Sequence, residues 1–174
     1  MPSPIGHGLA GASVAWLFNA VRLHRASRVM LLSCALFAAA PDIDVVFGSH
    51  RGPTHSLGAV VLVTICAAVW ASLRRLPALR IGAASGLAYG SHLLLDWLGK
   101  DSALPYGIMA FWPWSSAYYS SRANLFLEIS RRYWKADEFI FGNLRSIAWE
   151  LALLVPVAVI AYWWKRGNER SNEQ

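Results

Sequence analysis

His92 and Asp96 lie four residues apart in the apolar run SHLLLDW (Ser91 to Trp97). On a helix that spacing stacks both side chains on one face. An Asp in the middle of a bilayer costs on the order of 2.5–3.5 kcal/mol, so a metal, a water-filled cavity or a buried partner has to compensate. Three more stretches carry residues of the same kind. In Pro41-Asp42-Ile43-Asp44 the proline breaks a helix, and two carboxylates at the break can bridge or chelate cations. In His50-Arg51-Gly52-Pro53-Thr54-His55-Ser56, Gly and Pro set a tight turn, and Thr54 or Ser56 can cap the helix that follows. His50 and His55 can both turn inward there, while Arg51 offers a fork for phosphate or carboxylate oxygens. His7 stands alone near the start of an apolar run. Together these are candidate ligands for a divalent metal, and the bland alternative for each is a solvated loop residue or a buried structural pair.

For such residues to meet, helices must bring them to one depth. The chain has 174 residues, is 56% hydrophobic and 15% charged, and contains nine Trp. That composition predicts one all-α, polytopic membrane bundle with about five spans. The spans are expected near 8–21, 29–47 with a break at Pro41, 57–73, 79–98 and 147–164. Gly82, Gly86 and Gly90 recur every four residues on the face of span four roughly opposite His92, where another helix can pack closely. Cys34 and Cys66 fall inside apolar spans and read as small packing residues, not as a disulfide. The run from Arg22 to Ala40 imitates a signal peptide, but Pro41 would follow the cut and the start lies too deep in the chain.

Net charge is +6, which alone would suit nucleic acid. Its distribution argues against that. Nine of the 16 Lys and Arg cluster after spans one, three and five, namely Arg22, Arg25, Arg28, Arg74, Arg75, Arg80, Lys165, Arg166 and Arg170. The positive-inside rule makes those ends cytoplasmic, with the N-terminus and the metal-type residues outside and the C-terminus inside. Residues 116–146 then lie outside. Leu125, Phe126, Ile129, Tyr133 and Trp134 near helical spacing, among Arg131, Arg132 and Lys135, predict either a basic amphipathic helix on the lipid surface or an ordinary helix packed over the bundle. Trp112, Trp114, Trp163 and Trp164 suit interfacial anchoring. Asp101, Pro105, Tyr106 and Gly107 are expected as a wall or lid, and Glu150 as a snorkelling side chain in the last span.

Residues 1–115 or so resemble the YdjM-like family of predicted membrane-bound metal-dependent hydrolases of bacterial and archaeal inner membranes. The resemblance rests on His7, the PDxD stretch with Asp42 and Asp44, HRGPTHS and SHLLLDW, and continues through Pro105, Gly107 and Pro113. More loosely, these elements are similar to those of the zinc-dependent phospholipase C and P1-nuclease type, although a later HxxxE element is missing. The resemblance implies hydrolysis of a phosphoester, most simply in a lipid, by metal-activated water. His7, Asp42, His55, His92 and Asp96 would be the main ligands and His50 a further one. Asp44 would bridge metals or act as general base, and Arg51 would stabilise developing negative charge. Mixed His and carboxylate donors favour zinc, with manganese or iron as alternatives, in one to three ions. A metal-binding or ion-transporting protein without hydrolysis is the rival expectation, and an envelope protein with a vestigial site is a third.

Overall fold

A computed structural model describes residues 2–18, 24–47, 51–102, 104–130 and 132–171. His50, Arg22 and Arg131 lie outside the described residues, as do the side chains of Arg25 and Arg28. The chain is helical: α1 (Pro4–Phe18), α2 (His24–Ala39), α3 (Leu57–Leu73), α4 (Ala78–Leu98) and α5 (Asn143–Ser171). Two tighter 3-10 segments, Ala40–Phe47 and Pro53–His55, connect α2 to α3, and a π-helical turn, Glu138–Gly142, leads into α5. Among the described residues there is no strand, only two isolated bridges. α2 stops at Ala39, where Pro41 breaks the ladder as expected.

α4 is the hub, packed against α1, α2 and α3, while α5 packs on α1 from the far side. The glycine stripe explains the close α3–α4 contact. A Cβ on Gly82 would stand 2.8 Å from the Ala68 side chain, and one on Gly86 would collide with Thr64. The core between α1, α2 and α4 is built of small side chains, Ala15, Cys34, Ala84 and Ala88. Cys34 is buried there and Cys66 is exposed. Large apolar residues such as Leu36, Leu62, Ile65, Leu79 and Ile160 stand on the outside, as a bundle solvated by lipid requires. Among the described residues one helical stretch, Glu138–Arg170, is by itself long and apolar enough to cross a membrane, and α3 is apolar but spans 17 residues.

The segment before α5 corrects an expectation. Residues 116–130 are irregular and extended, not an amphipathic helix; helix begins only near residue 136. The reason is a competing set of hydrogen bonds. Ser121 N–H donates to Trp97 O (3.1 Å) and Leu125 N–H to Leu98 O (2.8 Å), taking carbonyls that the end of α4 leaves without helical partners. Lys100 N–H returns a bond to Phe126 O at 2.8 Å. Arg122 and Asn124 have positive φ, which a helix cannot accommodate. Phe126 is buried against Leu95 and Leu154, so the strap is stitched across the end of α4 and onto α5. The Trp149 indole N–H to Leu125 O (2.8 Å) and the Ser146 hydroxyl to Glu128 O (2.9 Å) complete the stitching.

Candidate metal centre

The end of α4, the first turn of α1, the 3-10 segment after α2 and the turn before α3 converge. α4 supplies His92 and Asp96 on one face, as the four-residue spacing requires. Ending α2 early leaves the Ala38 carbonyl without a helical partner, and His92 Nδ1 lies 2.7 Å from it. A carbonyl only accepts, so Nδ1 donates to it and His92 Nε2 is the nitrogen turned toward the cluster. His55 is set in the same way. Its Nδ1 faces Asp44 Oδ2 at 3.2 Å and Thr54 Oγ1 at 3.0 Å, which aims Nε2 inward. The turn itself is pinned by the Tyr89 hydroxyl to Thr54 O (2.7 Å) and by Ser56 Oγ, which accepts from Ala59 N–H at 3.1 Å and caps α3.

The two Nε2 atoms therefore face each other, 3.1 Å apart and fully buried. Asp96 Oδ2 stands 3.2 Å from His92 Nε2 and 3.4 Å from His55 Nε2, and Asp42 Oδ1 is 3.6 Å from each. Ligands bound at about 2.0–2.1 Å around a tetrahedral ion are separated by roughly 3.3–3.4 Å, so these spacings are those of a coordination shell. Asp42, His55, His92 and Asp96 form a group whose donor atoms all lie within 4.8 Å of one another. Two carboxylates and two neutral imidazoles would balance the charge of a divalent ion. Both Asp96 oxygens and both His7 ring nitrogens are buried without a hydrogen-bond partner, which is costly unless a cation supplies one. The residues fit a metal.

Apart from His50, which lies outside the described residues, each expected residue has a definite place. His7 stacks on His92 with ring centroids 3.7 Å apart, and its Nε2 is 3.4 Å from Asp96 Oδ1, the oxygen facing away from the other three donors. Asp44 lies behind His55 and not in the convergent group. Besides the imidazole it accepts from Arg51 N–H (3.0 Å) and the Thr54 hydroxyl (2.7 Å). The Arg51 guanidinium pairs with Asp101 and donates to Pro105 O at 3.2 Å, and Asp101 also accepts from Gly107 N–H at 2.7 Å. The 101–107 loop thus walls one side of the site. Burial alone would lower the His55 pKa, but hydrogen bonds to the Asp42 and Asp44 carboxylates outweigh it and push the imidazole up to about 9. Glu150 does not snorkel: it is buried and bonded to Ser3. A lone acid inside an apolar span was the signal available for it.

Fold and site define an all-helical membrane bundle with a buried His/Asp cluster at one end. The chain belongs to the YdjM inner membrane protein family, whose profile matches residues 1–168. That match runs past the stretch carrying the motif resemblance, through the strap and nearly all of α5. No curated protein and no solved structure matches the chain.

Proposed function

We propose that the protein is a membrane-bound, metal-dependent hydrolase acting on a phosphoester of a lipid, with the site at the outer face of a five-span bundle. The observation that carries the reading is the pair of inward-aimed imidazole Nε2 atoms, those of His55 and His92, closed on two sides by Asp42 and Asp96. His55, His92, Asp42 and Asp96 would hold the ion, zinc by donor type, with His7 beside Asp96. A divalent ion there supplies Lewis acidity and lowers the pKa of water. The chain does the rest. Asp44 and the Ala38 carbonyl fix the two imidazoles by their far nitrogens, as outer partners of metal ligands do. Arg51, tethered by Asp101 at the rim, offers a cation to a phosphoryl oxygen.

Access favours an amphiphile. Asp42 is the exposed member of the ligand group, with 26% of its side chain open, while the others are closed. Beside it Ile43, Val45 and Val46 are exposed. An acyl chain lying on that apolar surface would present its headgroup to Asp42 and the ion. Ion transport is less well supported, because among the described residues the buried polar groups on the other half of α1 and α4 are only Ser13 and Ser85. The test is metal analysis of detergent-purified protein followed by phosphate or headgroup release from mixed phospholipid micelles. About one or more equivalents of zinc and metal-dependent release are expected in the wild type, and neither in the His92→Ala, Asp96→Ala double variant. Undiminished release by that variant would end the reading.

A further inference from the structure

The His7 ring stacks on His92 and approaches Asp96 without a hydrogen bond, and the turn of backbone beneath it carries it there. That turn is held from another helix. Pro4 opens α1 at the first helical position, where its missing N–H is harmless, and Ser3 precedes it as the cap. Ser3 Oγ accepts from Gly6 N–H at 3.2 Å, and His7 N–H donates to Ser3 O at 3.1 Å. Ser3 in turn is gripped by Glu150 of α5. Its N–H donates to Oε1 at 2.8 Å and its hydroxyl to Oε2 at 2.5 Å. A carboxylate at a helix N-terminus is also favoured by the helix dipole. Gly6 makes room for it, since a Cβ there would stand 2.8 Å from Glu150 Oε2.

We propose that Glu150 is the positioning residue for His7: by clamping the Ser3 cap it fixes the first turn of α1 and sets the imidazole against Asp96 and His92. α5 thereby serves a site to which it contributes no ligand. The role concerns where His7 stands, and only its effect on metal affinity rests on the proposed metal site. Glu150→Ala leaves the Ser3 N–H and hydroxyl buried without acceptors. Glu150→Gln keeps one acceptor, and Gly6→Ala displaces the carboxylate while leaving it in the chain.

Two measurements on the full chain in detergent test this. Acylation of histidine by diethyl pyrocarbonate, read peptide by peptide without added metal, reports His7 directly. His7 is expected to react several-fold faster in Glu150→Ala and Gly6→Ala and at an intermediate rate in Glu150→Gln, with His55 and His92 unchanged. Cobalt affinity is expected to fall roughly 10–100-fold in Glu150→Ala, and the same substitution to cost nothing further on a His7→Ala background. Unchanged His7 reactivity, exposure of all three histidines together in every variant, or an undiminished cobalt loss on the His7→Ala background would each overturn the role. A wild type that binds no cobalt would remove the metal reading, and the acylation pattern would still decide for or against Glu150.

Discussion

Asp42 and Asp44 lie two positions apart on one tight helical segment, and one reaches the ligand group while the other stands behind His55. Their substitutions should therefore differ in kind. Asp44→Asn is expected to leave the number of bound ions unchanged and weaken affinity about 10–100-fold by freeing the His55 ring. Asp42→Ala removes a donor, and metal binding should become weak enough to be lost on dialysis. Equal effects of the two would contradict the geometry. Protons compete for the same lone pair. With the His55 pKa raised to about 9, a cation must displace a proton at any lower pH, so cobalt affinity should climb about tenfold per pH unit and level off near that value. A flat titration across that range would contradict a proton held on His55 by Asp42 and Asp44. The group that the fold gathers, Asp42, His55, His92 and Asp96, was legible from residue type and neighbourhood. The place of Asp44 was not, because spacing on a broken helix does not say which side of an imidazole a carboxylate will meet.

At the scale of elements, α4 presents glycines to α3 on one face and ligands to the site on the other. Gly86→Leu puts carbon where Thr64 now sits and should destabilise the bundle by about 1–3 kcal/mol, read as a lower melting temperature in detergent. An unchanged melting temperature would mean that α3 is not seated in that groove. The five helices and the α2 break were readable because apolar runs, Pro41 and the glycine period each leave a local mark. The strap was not. Leu125 and Phe126 belong to a near-helical apolar pattern, yet the Leu125 N–H is claimed by the Leu98 carbonyl and the Phe126 carbonyl by Lys100 N–H, a tertiary preference that no local pattern announces. Phe126→Ala should cost about 3–5 kcal/mol if the strap is a true part of the core.

The molecule as a whole puts every ligand-bearing segment at one end of the bundle and the turn 74–77, with Arg74 and Arg75, at the other. Cysteines introduced at Gly52 and Leu76 in a chain lacking Cys34 and Cys66 should label from opposite faces of the membrane, Gly52 from outside. Labelling of both from one face would overturn the proposed five-span arrangement. The Ser3–Glu150 clamp bears on biosynthesis. Ser3 leaves the ribosome 147 residues ahead of its partner, so throughout translation the nascent bundle lacks its final latch. If the centre holds the proposed metal, chains arrested short of α5 should be slow to acquire it, and loading is expected late, once the last helix has joined the bundle.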